Sequence, residues 1–318
     1  MKNTASSQPA VSMFSNPVAR TVMCVILSIL PLGVLIQMVA VTAVNLPFMD
    51  EWSIAALLEY SHRGTLTFGD FWQQQNEHRV LFPKLILYAC AKLTHWNTNF
   101  EAWLNVLAGI GIFLVLLFLI LSTSRMIKRS GVIWAIPATS LIVFSLAQFH
   151  NYIFGWQITF TLGMLASLFG ITMLSKPEFK SRQFGMALAA GVVSLYTFGG
   201  GLIYWGVGAL ALSFMPKREG ENRKLSIALF LIVGLASIGL YLHGYRTPTN
   251  HTSISYCLHH LGDFSAYIFE YLGAPCAQYS QSLSLILGIF GFAATLIASW
   301  ILIRREKVDK TILFLILE

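Results

Sequence analysis

Charge is what this sequence has least of. Only 11% of its 318 residues are Asp, Glu, Lys or Arg, against 56% hydrophobic. Water-soluble domains carry about a quarter charged residues. The shortage excludes an ordinary soluble globule, a disordered chain and a nucleic-acid-binding domain, and the mean hydropathy of +0.66 agrees. Cysteine is scarce too: there are four, and their spacing fits no zinc pattern. Cys257 and Cys276 share one loop, where an oxidising compartment permits a bridge. A cleavable signal peptide is also missing. The first apolar run, Thr21 to Val44, is long enough to span a bilayer, whereas a secretory core is shorter and ends in a small-residue cleavage site. Residues 1–18 are polar, rich in Ser, Asn and Pro, and read as a disordered cytoplasmic tail.

What is present is a series of apolar runs: 21–45, 82–96, 101–124, 132–149, 157–174, 184–215, 225–242, 284–303 and one opening at Thr311. Short basic stretches separate several of them, at Arg125–Arg129, Lys176–Arg182, Lys217–Lys224 and Arg304–Lys310. With Lys2 and Arg20 they hold 16 of the 21 Lys and Arg residues. The positive-inside rule places them all in the cytoplasm. Parity then makes 82–96 an interfacial helix on the outer surface, because it is short and carries Lys84, Lys92 and His95. The run 184–215 has cytoplasmic flanks at both ends, so it must go out and return. Its 32 residues predict two short helices meeting at Thr197–Gly201 below the outer surface, or equally a plain hairpin of thin helices. The expectation is an all-α polytopic membrane protein of about nine transmembrane helices, with interfacial helices in a long first outer loop. Residues 19–318 form one transmembrane domain with outer loops 46–100, 150–156 and 243–283. Its location is an integral one, in a bacterial inner (plasma) membrane, with the N-terminus cytoplasmic.

This sorting puts all eight histidines outside, with Asp50, Glu51, Glu59, Asp70, Glu77, Glu101, Asp263 and Glu270, against only five basic residues. The titratable chemistry therefore gathers on the outer side. Asp50 and Glu51 directly follow the first span. Asp50 sits where a helix N-cap would sit, and a carboxylate there also suits a general base or a metal ligand. Residues 52–62 read as a short helix with Ile54, Leu57 and Leu58 on one face. Glu77, His78 and Arg79 run consecutively at the mouth of the interfacial helix, with Lys84 a turn further on. Arg suits bidentate phosphate binding, and lipid phosphates would satisfy the same cations nonspecifically. His150 and Asn151 open the second outer turn, where an aromatic belt accounts for Tyr152 and Trp156 but not for them. Residues 254–272 read as another surface helix. The adjacent His259 and His260 point to different helix faces and make a poor metal pair.

One span, then a long outer loop opening with the acidic pair Asp50-Glu51, then Glu77-His78-Arg79-Val-Leu-Phe-Pro83-Lys84 introducing a surface helix: this layout resembles the GT-C class of integral-membrane glycosyltransferases. The protein O-mannosyltransferases and the bacterial aminoarabinose and related lipid-sugar transferases are especially similar. The resemblance covers roughly residues 15–215 and is mostly architectural. Such enzymes usually bring a second acid from the next outer loop, where this chain has His150 and Asn151. The resemblance implies transfer of a sugar from a polyprenyl-phosphate donor to an acceptor hydroxyl on the extracytoplasmic face, with inversion. Asp50 would take the acceptor proton, with Glu51 beside it. Arg79, helped by Lys84 or His78, would meet the donor phosphate. Glu77, His150 and Asn151 would lie behind these groups or on the acceptor side. No residue is assigned to a metal, and a divalent metal is left open as the one cofactor. The partners implied are the lipid-linked sugar and membrane lipid.

Two readings compete. A lipid or small-molecule transporter, or flippase, would use the Gly199–Gly201 break, but the spans hold almost no ionisable residues. An inactive or truncated membrane subunit would suit a chain that stops inside the apolar run Thr311–Glu318. The absence of a nucleotide-sugar fingerprint favours the lipid-linked donor. The glycine triplet is no phosphate loop, because no strand precedes it and no Lys-Ser follows. Reporter tags inserted at residue 64 should be reached from outside the cell, and tags at 129 and 179 only from inside. A tag at 64 reached from inside would overturn the whole orientation.

Overall fold

In the computed structural model the described residues are 16–127, 130–176, 181–214, 222–248, 254–274 and 280–304. Among them every regular element is helical, and the only β-pairing is an isolated bridge between Gln75 and His78. The first helix, α1 (Pro17–Thr42), starts with Pro at its first position and Asn16 as cap, whose side chain accepts from the Val18 and Ala19 N–H groups. Three short helices and a 3₁₀ turn at Met49–Trp52 follow before the second long helix. They are α2 (Ser53–His62), α3 (Phe68–Trp72) and α4 (Leu81–Thr94), then α5 (Thr98–Ile127) is the long one. Next come α6 (Ala135–Val143), α7 (His150–Ile153) and α8 (Ile158–Ser175). A short pair, α9 (Ser181–Leu195) and α10 (Gly201–Phe214), precedes α11 (Arg223–Leu242). The chain closes with α12 (Ile254–His259), α13 (Leu261–Leu272) and α14 (Gln281–Arg304).

Five helices are long and apolar enough to cross a membrane: Pro17–Thr42, Thr98–Ser122, Gly155–Ser175, Arg223–Leu242 and Gln281–Ala298. The chain is thus a helical protein of the integral-membrane kind, and the exposed faces of these helices are apolar, as lipid requires. The expected count of nine is not reached by these five. The apolar stretch Val132–Gln148 and the helices α9 and α10 are shorter, and the run opening at Thr311 lies outside the described residues. The expected interfacial helix is α4, with 14 residues, and Leu87 and Ala91 buried on its inner side. The helix expected at 52–62 is α2, which buries Ile54 and Leu57. The surface segment 254–272 is broken at His260 into α12 and α13. Cys276 lies outside the described residues, and with it the Cys257–Cys276 bridge.

Contacts sort the helix ends into two groups. At one end Asn45 after α1 accepts from the Thr98 N–H that starts α5 (2.9 Å), and Phe82 of α4 donates its N–H to Tyr196 O in the α9–α10 turn (3.2 Å). At the other end Cys24 of α1 donates to Ile133 O (3.2 Å), and Lys176 after α8 sits 5.7 Å from the Phe118 ring of α5. The loop-rich end and the basic end are therefore opposite. Three apolar clusters hold the bundle. One centres on Tyr204, Phe230, Leu174 and Leu195 between α8 and α11. Another joins Leu35 and Val39 of α1 to Ala102, Phe144 and Tyr152. The last, with Ile54, Leu57, Leu87 and Ile158, fastens the short helices α2 and α4 onto the long ones and so sets the position of the loop-rich end.

The α9–α10 turn is made possible by close backbone approach. A Cβ at Gly201 would stand 2.5 Å from the Leu195 nitrogen and 2.5 Å from the Ser194 carbonyl carbon. Both are backbone atoms and cannot yield. Gly206, one turn and a half further along α10, meets nothing within 4 Å. Replacement Gly201→Ala should therefore destabilise by about 1–3 kcal/mol, while Gly206→Ala should be neutral or stabilising by up to about 1 kcal/mol through helix propensity. Thermal unfolding of the two purified variants in detergent checks the contrast.

Candidate functional site

At the loop-rich end a cavity of ≈ 200 Å³ is lined by Asp50, Gln75–His78, Val80, Trp156, Gln157, Thr159, Phe160 and Phe198. Pockets for drug-sized ligands run to about 300–1,000 Å³, so this one is smaller than a drug-sized site. Its walls come from the turn after α1, the segment before α4, the start of α8 and the α9–α10 turn. Three expected site residues meet here: Asp50, Glu77 and His78. No Lys or Arg is among the lining residues.

Two of the lining acids follow residues in the left-handed region, Met49 (φ 48°) and Asn76 (φ 49°). Asn tolerates that conformation, whereas for Met it costs about 1–2 kcal/mol. The strain turns Asp50 toward the cavity, and no hydrogen bond ties its side chain among the described residues, so the capping role expected as an alternative is not what holds it. His78 stands with Nε2 3.3 Å from Glu77 Oε1 and its ring 4.4 Å from the Phe198 ring. The ring lies against the α9–α10 turn.

Arg79 and Lys84 do something else. Arg79 is 5% exposed. Its Nε donates to Tyr241 O (2.7 Å), Nη1 to Trp72 O (2.9 Å) and Nη2 to His243 O (2.5 Å), and the guanidinium lies 5.3 Å from the Trp72 ring centre. It ties the end of α11 to the first loop. Lys84 is buried on α4 and donates to Gln73 O (2.9 Å). Burial pushes its ammonium down to about 8, with the Asp70 carboxylate opposing. Both cations thus bind backbone carbonyls at or just past helix ends. His150 is exposed, packed against Phe149 and Phe154, and neither it nor Asn151 lines the cavity.

Glu51 points the other way from Asp50, into the protein, with 1% exposure. Its Oε2 accepts from the Phe48 N–H (2.7 Å) and its Oε1 from the Trp156 N–H (3.2 Å). Burial pushes its carboxyl above the usual range, while these donors and the Gly155 N–H pull it back. Beside it is a residue that sequence reasoning noted only as one of the outer acids, Glu101 in the first turn of α5. A Cβ at Gly155 would lie 2.5 Å from Glu101 Oε2 and 3.1 Å from Glu51 Oε1, so the two carboxyls are neighbours across that glycine. An acid from α5, rather than a residue of 150–151, thus stands beside Glu51. The sequence signal was there: a single Glu at the head of an otherwise apolar 30-residue helix.

Compared with protein-family models, with characterised proteins and with solved structures, the chain matches none. Among the described residues no group of three or more His, Cys, Asp or Glu is placed to hold a metal ion.

Truncating Arg79 would leave the Tyr241, Trp72 and His243 carbonyls without their donor. Arg79→Ala should destabilise by about 2–5 kcal/mol, and Arg79→Lys should recover little, because one ammonium cannot reach all three. Thermal unfolding measures both. Equal stability of all three proteins would show that the clamp is idle.

Proposed function

We propose that the chain is a membrane transferase of the GT-C kind, moving a sugar from a polyprenyl-phosphate donor to an acceptor hydroxyl in the cavity at its loop-rich end. The observation that carries this reading is the meeting of Asp50, Glu77 and His78, from two separate loop segments, in one small cavity walled by Trp156, Phe160 and Phe198. Aromatic faces suit the apolar faces of a sugar ring, and polar groups at the rim fix its orientation. The acceptor oxygen attacks the anomeric carbon, the bond from that carbon to the phosphate oxygen breaks with its electron pair going to the phosphate, and the anomeric centre inverts. Asp50 receives the acceptor proton as general base. His78, held by Glu77, faces the charge that develops on the leaving phosphate. Arg79 and Lys84, tied to backbone carbonyls, act in this scheme by holding the segment that carries His78. Glu51 sets the turn that carries Asp50, and His150 and Asn151 stand outside the cavity on the side from which an acceptor would approach. The membrane is that of a bacterial cell envelope, with the cavity on its extracytoplasmic side.

The test is turnover of a radiolabelled polyprenyl-phosphate sugar by the purified full chain. Asp50→Asn should lower turnover by about 10²–10⁴-fold and His78→Ala by at least about tenfold, with thermal stability retained in both. Unchanged turnover in Asp50→Asn would overturn the assignment. Counterflow of a solute through sealed vesicles, unaffected by either substitution, would favour transport instead.

A further inference from the structure

The cavity has a structure behind it that the proposed reaction does not use. Glu101 is 0% exposed, and neither carboxyl oxygen has a hydrogen-bond partner. Its neighbour across Gly155 is Glu51, equally buried but holding two backbone N–H donors. Asn105, one turn along α5 and also fully buried, donates to Phe154 O (2.7 Å) and accepts from Thr161 (2.9 Å). The other titratable group facing Glu101 is Cys90 on α4. Among the described residues no Lys, Arg or His forms an ion pair with either acid; the ion pairs there are Arg63–Glu59 and His78–Glu77. Two buried carboxylates side by side, without a cation, cannot both be ionised.

We propose that Glu51 and Glu101 hold one proton between them, so that the pair bears a single charge and fastens the two turns that wall the cavity. The charge is best placed on Glu51, where the Phe48 and Trp156 N–H groups point at it. The Phe48 bond closes the turn that presents Asp50. The Trp156 bond fixes a residue that lines the same cavity. Glu101 is then a positioning residue: as a neutral acid beside Glu51 it removes a second negative charge that no cation there would balance. Loss of that proton would set two like charges against each other under Gly155 and loosen both turns. Nothing in this depends on which reaction the cavity performs.

Glu101→Gln keeps the shape of the acid and cannot ionise, so the protein should still fold, whereas Glu101→Ala should lower its melting temperature. The direct readout is infrared: the full-length wild type at pH 7 should show the C=O stretch of a buried protonated carboxyl. That band should vanish in Glu101→Gln and shift in Glu51→Gln. A wild type without the band, or a band unchanged in both variants, would overturn the proposal. So would Na⁺, Mg²⁺ or Ca²⁺ raising the melting temperature of the wild type but not of Glu101→Gln, since a cation would then be neutralising the pair. If Glu101→Gln does not fold, the wild-type band and its response to Glu51→Gln decide alone.

Discussion

Backbone that leaves a helix where protein shuts out water must find its partners in the protein, and each orphaned N–H or C=O there costs several kcal/mol. This chain breaks its helices repeatedly at one end, so that end has to find partners for its exposed peptide groups. It finds them in charged side chains turned inward. Arg79 takes the carbonyls of Trp72, Tyr241 and His243, Lys84 takes that of Gln73, and Glu51 takes the N–H groups of Phe48 and Trp156. The three residues bind the first loop to α11, to α4 itself and to the start of α8. A rigid end with a cavity in it is the consequence.

Spending the strongest charges on the backbone decides what remains for chemistry. An Arg bonded to three carbonyls and a Lys buried on a helix are poor candidates to greet a phosphate, although both stood in the expected positions. Left facing the cavity are Asp50, Glu77 and His78. The adjacent pair Asp50 and Glu51 shows the division most clearly. The 3₁₀ turn sends one carboxyl to the cavity and the other to the interior, so neighbouring acids of the same loop take opposite duties.

Much of the plan was legible from the residues. The break at Thr197–Gly201 was readable because 32 apolar residues cannot make two full spans, and α9 and α10 are the two short helices that shortage demands. A helix too short to span was readable at 82–96, and α4 is that helix. Glu101 was overlooked as a partner, since a carboxylate at the head of a span is ordinarily solvated at the membrane rim. Only the packing of Gly155 against it reveals that it is not. His150 and Asn151 drew notice by being polar next to each other, yet the ring contacts with Phe149 and Phe154 leave His150 outside the cavity.

By itself the sequence determined the material. Apolar runs and the clustering of Lys and Arg are properties of consecutive residues, so they show which segments are built for lipid and which ends belong together. Which polar side chain serves the backbone and which faces the cavity was decided only by tertiary structure. The partner that settles Arg79 is 162 residues away at Tyr241, and the one that settles Glu51 is 105 residues away at Trp156. At such separations no local pattern records the contact, because the bond exists only once the helices have packed.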